Sequence, residues 1–203
     1  MSNVGIIGRM RVGKDTAGEW LVDNRGYRRI GFADALKDAA LTLDPIAWPH
    51  RTGWGEDGTG VVRLSELVRD VGWERAKETP EVRRTLQELG MAIRAIDPEF
   101  WLRAALAKVT EANEAGVPAV ITDVRFPNEA DSLRRAGFHL VYIDRPGVPQ
   151  LDHASEGALT SADAKYVIRN NSGDLPGFLE DVEFVANNIA HHESRRHYAR
   201  SLS

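Results

Sequence analysis

Apolar residues come along this chain in short blocks that switch between two periods. Val4-Gly5-Ile6-Ile7 is a compact run of strand type, and Ala17, Leu21 and Val22 beyond it share one helix face. Tyr27 to Phe32 reads as a second strand, followed by a helix that starts at Asp34 and carries Leu36, Ala40 and Leu43 on one side. From Pro45 to Gly60 the periodicity is lost among polar residues, glycines, Trp48 and Trp54, which predicts an irregular loop. Ser65 to Trp73 suits a short helix. The clearest helix opens with Thr79 as cap and Pro80 in the first turn; its stripe of Val82, Leu86, Leu89, Ile93 and Ile96 keeps spacings of four and three and should face a core. Asp97-Pro98 begins another, through Trp101, Leu102, Ala105, Leu106 and Val109 to a closing Gly116.

Val117 to Thr122 is the third strand, and the helix after it, for which Asn128 is the best-placed cap, ends over Leu133 to Gly137. His139 to Ile143 is the fourth strand. Gly147 to Ala164 is polar and without period, as expected of a flap. Tyr166 to Ile168 is the fifth strand, and Asp174 caps a last helix through Leu175, Phe178, Leu179, Val182 and Ile189. His191 to Ser203 is charged, without an apolar stripe, and reads as an exposed tail. Strands alternating with helices predict an α/β fold, a five-stranded parallel sheet with helices on both faces. The expected layout is a single domain over 1–190 whose core is 1–33 and 117–190, with a helical insertion over 34–116, a lid at about 145–164 and the tail 191–203.

Composition narrows the function classes. With 203 residues and 42% hydrophobic side chains the chain can bury a full core. A net charge of −4 argues against a nucleic-acid duplex as the main partner, though not against small anions in a local basic cleft. There is no cysteine, hence no disulfide, thiolate metal site or cysteine nucleophile. Neither a signal peptide nor a membrane-crossing run is visible, so a cytoplasmic protein is expected.

Between the first strand and the first helix lies Gly8-Arg9-Met10-Arg11-Val12-Gly13-Lys14-Asp15-Thr16, close to the phosphate-binding signature GxxxxGK[ST]. In such a loop Gly8 and Gly13 let the backbone N–H groups of residues such as Arg11 and Val12 turn inward around a phosphate. The helix that follows adds its positive end. Lys14 would lie along the outer phosphates. Asp15 stands where a hydroxyl usually meets Mg²⁺; a carboxylate can ligate the metal directly or through water, but it also sets negative charge near phosphates. Thr16 is the nearest hydroxyl.

Further candidates lie downstream. Arg83, Gln87 and Arg94 fall near one line on the Thr79 helix, with Gly90 between them leaving room for something to approach the backbone, either a phosphate-and-base site or a solvated face. Asp123, at the end of the third strand, sits where open α/β sheets place ligand chemistry; it could hold the water shell of Mg²⁺ or cap the next helix. His153 in the flap is best read as an ordinary hydrogen-bonding residue. The motifs Gly13-Lys14-Asp15-Thr16, Phe32-Ala33-Asp34-Ala35-Leu36-Lys37, Leu86-Gln87-Glu88-Leu89-Gly90, Asp123-Val124-Arg125-Phe126-Pro127-Asn128-Glu129 and His153-Ala154-Ser155-Glu156, in that order, resemble the deoxynucleoside monophosphate kinases of tailed bacteriophages. In that family an Asp follows the loop lysine.

The resemblance implies a P-loop kinase fold and transfer of the γ-phosphoryl group of ATP to a deoxynucleoside 5′-monophosphate. The resemblance further implies Mg²⁺ as cofactor, near Asp15, Thr16 and Asp123. The insertion would bind the acceptor. Lys14, Arg125 and Arg145 are the expected catalytic residues, Lys37 and Arg84 or Arg94 would reach the acceptor phosphate, and Gln87 would bind the base. Trp101 is either a stacking platform or a core residue. Glu156 and Ser155 would latch the lid. Whether the chain forms a homodimer is left open. Two rivals are a kinase of another small phosphorylated acceptor, of phosphomevalonate or dephospho-coenzyme A type, and a regulatory nucleotide-binding protein.

Overall fold

The computed structural model describes residues 1–49, 61–148, 158–171 and 173–201. In chain order the elements are β1 (Val4–Ile7), α1 (Lys14–Arg25), β2 (Arg28–Arg29), α2 (Asp34–Leu43), β3 (Ile46–Pro49), β4 (Val61–Arg63) and α3 (Leu64–Ala76). There follow α4 (Pro80–Ile96), α5 (Phe100–Glu114), β5 (Ala119–Val124), α6 (Pro127–Arg135), β6 (His139–Asp144), β7 (Tyr166–Arg169) and α7 (Leu175–Ser201). They fall into two compact units, Met1–Gly31 with Leu106–Ser203, and Phe32–Ala105.

The first unit is built on a five-stranded sheet in the order β2-β5-β1-β6-β7, every pairing parallel. Its central strands are apolar on both sides, as a sheet covered by crossover helices requires. On β1, Val4 and Ile6 join a core with Ala17 and Leu21 of α1 and Phe178, Val182 and Ile189 of α7. Gly5 points the other way, where a Cβ would lie 2.7 Å from Leu140 Cδ2 and 3.2 Å from Leu133 Cδ1, a residue of α6. Helices therefore cover both faces, as expected from the alternation.

Two local expectations differ. Helix α6 is capped not by Asn128 but by Glu129, whose Oε2 accepts from the backbone N–H groups of Arg125 (2.8 Å) and Phe126 (3.0 Å). Residues 191–201 are helical, continuing α7 rather than forming a tail. The continuation is tied down because the Glu193 carboxylate pairs with buried His139 of β6 at 3.1 Å and with Arg196 at 3.1 Å. Asp174 does cap α7, its Oδ1 accepting from the Gly177 N–H at 2.9 Å.

In the second unit, α2, α3 and α4 pack with β3 around Ala40, Ala47, Leu64 and Val82. The stretch expected to be irregular has paired ends, since β3 and β4 form an antiparallel ribbon; residues 50–60 lie outside the described residues. The α4 stripe is buried at Val82 and packed at Leu86 and Leu89, but Ile96 is 84% exposed. Among the described residues no helix is long and apolar enough to cross a membrane.

Candidate active site

The loop between β1 and α1 has the backbone its glycines foretell. Gly8 takes φ 148°, and a Cβ there would lie 2.5 Å from the Ile143 carbonyl oxygen. Gly13 takes φ 106°, with a Cβ only 2.6 Å from Asn170 Nδ2. Arg11 adopts φ 65°, a left-handed conformation that a non-glycine residue enters only under constraint from its surroundings. Val12 is fully buried, and its carbonyl accepts a 2.7 Å bond from the buried Asn170 side chain. Asn170 N–H in turn donates to the Asp144 carbonyl at 2.7 Å, so the end of β6, the start of the last loop and the phosphate loop are clamped together. Lys14 Nζ lies across the loop, bonded to the carbonyls of Gly8 (2.7 Å) and Arg9 (2.6 Å). Arg9 pairs with Asp144 at 3.3 Å.

Arg11, Gly13, Lys14, Asp15 and Thr16 line an open cleft of about 480 Å³ together with Arg145, Asn170, Asn171, Gly173, Leu175 and Phe178. That volume falls within the range of small-molecule sites. Three cationic side chains around the positive end of α1 suit the cleft to a polyanion, and Leu175 and Phe178 add an apolar flank. Arg145, just past the end of β6, lines the same cleft as Lys14.

Asp15 is not isolated. Its Oδ1 accepts from Arg29 Nη2 at 2.6 Å and from Thr122 Oγ1 at 3.0 Å, and Arg29 also reaches Thr122 Oγ1 at 3.2 Å. Gly18 permits this approach of α1 to β5, since a Cβ there would lie 2.4 Å from Thr122 Cγ2. Asp123 follows Thr122 at the half-buried end of β5 but does not line the cleft. Arg125 is exposed beyond it, its backbone held by Glu129.

The candidates of the second unit fare unevenly. Gln87 and Arg94 are exposed on α4. Lys37 lies over the Trp73 ring, 5.8 Å from its centre. Arg84 is held between Glu81 and Glu88, and the hydrogen bond it donates to Glu81, followed by that to Glu88, pushes its pKa up, so it is an intrahelical ion-pair residue rather than a free clamp. Trp101 is 6% exposed and donates its indole N–H to the Gly90 carbonyl at 3.2 Å; it is a packing residue, not an offered stacking surface. The room left by Gly90 is taken by Leu36 of α2, 3.2 Å from where a Cβ would stand. Ser155 and Glu156 lie outside the described residues. Arg29, Thr122 and Asn170 were missed, because a lone polar residue at a strand end carries no spacing signal.

A family model for deoxynucleotide monophosphate kinases matches residues 57–181, more than half of the chain. The chain belongs to the deoxynucleotide monophosphate kinase family. The kinase is 28% identical over 194 residues to a protein of Acanthamoeba polyphaga mimivirus named "Putative deoxynucleotide monophosphate kinase", covering 92% of this chain and 97% of the other. It is 31% identical over 175 residues to the uncharacterized protein ORF77 of Ictalurid herpesvirus 1 (strain Auburn), covering 76% and 72%. Among solved structures, dephospho-CoA kinase from Campylobacter jejuni superposes with a TM-score of 0.50 at 11% identity over 95% of this chain and 100% of that one, a likeness of fold alone. The match to the family starts after the phosphate loop, so the geometry of Gly8 to Thr16 is a separate observation in favour of a phosphotransferase.

Proposed function

We propose that this kinase transfers the γ-phosphoryl group of ATP to the 5′-phosphate of a deoxynucleoside monophosphate, giving the diphosphate and ADP. The observation that carries the reading is the cleft in which Arg11, Lys14 and Arg145 converge on the positive end of α1, in a chain of this family. The acceptor phosphate oxygen is already ionised at neutral pH and attacks without a strong base. Protein catalysis is then alignment and charge neutralisation. The loop amides and Lys14 hold the donor phosphates, and Arg145 and Arg125 cover charge that develops on the transferred group. Asp15 and Thr16 line the cleft and are oxygen donors that would hold Mg²⁺, which when bound would neutralise phosphate oxygens; Asp123, which does not line the cleft, is the further candidate for its water shell. On the acceptor side Arg94 and Gln87 are the exposed candidates on α4. Segments 34–116 and 145–164 act as acceptor-binding insertion and lid, with Glu156 as its latch. The viral origin of both relatives supports supply of precursors for viral DNA synthesis, and the motif resemblance points to a bacteriophage.

The test is ADP formation from ATP and Mg²⁺ with each deoxynucleoside monophosphate in turn. A Lys14→Met chain should lose about 10²- to 10³-fold in turnover, by analogy with loss of one preorganised charge-stabilising donor. If no acceptor raises ADP formation in the native chain above that control, the proposal is wrong.

A further inference from the structure

A carboxylate in the first turn of α1 suits the helix dipole but opposes a bound polyphosphate. The structure holds this carboxylate from two other elements. Arg29 of β2 and Thr122 of β5 both donate to Asp15 Oδ1, at 2.6 and 3.0 Å, while Oδ2 takes no hydrogen bond from another described residue. Thr122 donates its one hydroxyl proton to Asp15 and accepts from Arg29 at 3.2 Å, so the three groups satisfy one another as a unit. The Asp15 and Arg29 side chains are 69% and 47% exposed, so the pair adds little to stability, and its value must lie elsewhere.

We propose that Arg29 is a positioning residue for Asp15. It offsets the charge of the carboxylate at the mouth of the phosphate cleft and fixes Oδ1, leaving Oδ2 as the oxygen available to the water shell of a divalent cation. Arg29 acts on the nucleotide through Asp15. This rests on the reading of the loop as the donor site.

The experiment is a double-mutant cycle on ATP affinity by calorimetry, first in excess EDTA so that no metal enters. The chains are native, Arg29→Gln, Asp15→Ser and the double variant, with Arg29→Lys as conservative rescue and Arg29→Met as a second charge-removing change. Arg29→Gln should weaken metal-free ATP binding about tenfold, a coupling within the range for side chains in contact. In the Asp15→Ser background the same change should cost less than about twofold, since the charge to be offset is gone. Arg29→Lys should recover most of the affinity, and melting temperatures should stay close to the native value. An equal loss in both backgrounds would mean that Arg29 meets the phosphates itself, and no loss in either would mean that the pair is ornamental; each overturns the proposal. ADP formation with deoxynucleoside monophosphates is measured on the native chain in parallel. Failure there with an intact cycle removes the acceptor reading and leaves the Arg29 inference standing.

Discussion

Asn170 clamps the phosphate loop from outside it, and replacing it by Ala would remove the side-chain hydrogen bond that the Val12 carbonyl accepts. The bond is short, 2.7 Å, and buried, and Val12 itself is inaccessible to water. An orphaned buried carbonyl costs about 1–3 kcal/mol, so about 2 kcal/mol is expected. For a chain of this size that is roughly 4–8 °C in melting temperature. Asn170→Asp separates this argument from a simple packing loss. It keeps the volume but turns the donor into an acceptor facing another acceptor. At pH 7 it should be less stable than Asn170→Ala, and it should recover as acidification supplies the proton it needs to donate. The assay is urea unfolding with ATP titration on the same samples, the affinity falling in both variants because the loop amides lose their setting. A stability of Asn170→Ala within about 0.5 kcal/mol of native, the scatter of neutral surface changes, would refute the reasoning. So would an Asn170→Asp chain as stable as Asn170→Ala at pH 7.

Other outcomes follow from single contacts. Gly18→Ala brings a Cβ to 2.4 Å from Thr122 Cγ2 and should destabilise by about 1–3 kcal/mol in urea unfolding, with Thr122→Ser, which deletes that methyl, restoring most of the loss. Trp101→Phe loses the indole bond to Gly90 and should cost about 1 kcal/mol in stability, with the acceptor KM unchanged; a large rise in that KM would return Trp101 to the substrate. Burial lowers the pKa of His139 against the opposing pull of Glu193, with His192 and Lys165 adding to the lowering. The unfolded chain therefore binds this proton more readily, so the contribution of His139 is intact above about pH 6.5 and is lost as pH falls through that value. Melting curves between pH 7.5 and pH 5 should show this slope, and His139→Phe should flatten it.

Much of the architecture was legible because its signals are local. The strand Val4–Ile7, two glycines at fixed spacing and Lys14 lie in one continuous stretch, and a phosphate loop is a backbone device that such a stretch specifies. Parallel pairing followed from helices between strands. The tail was misread for the same reason in reverse. Residues 191–201 lack an apolar stripe, and what holds that end of the helix is a polar contact from Glu193 to His139, 54 residues earlier in the chain. Gly90 looked like room for a ligand because a missing side chain does not say what fills the space. Leu36 fills it.

Local periodicity and glycine placement thus determine the α/β alternation and mark the glycine-bounded loop with its lysine. Tertiary structure decided which polar residues serve the cradle. Arg29, Thr122 and Asn170 come to it across 14, 107 and 158 residues, counted from Asp15, Asp15 and Val12 respectively. Arg29 ends β2, Thr122 lies in the carboxyl-terminal half of β5 and Asn170 directly follows β7, and parallel pairing in one sheet gathers those ends at one rim. A hydrogen bond needs its partners within about 3 Å of each other, and no spacing along the chain encodes that distance until the sheet has closed. Asp15 shows the difference most clearly: in the sequence it is a carboxylate out of place, and in the fold it is one half of a pair with Arg29.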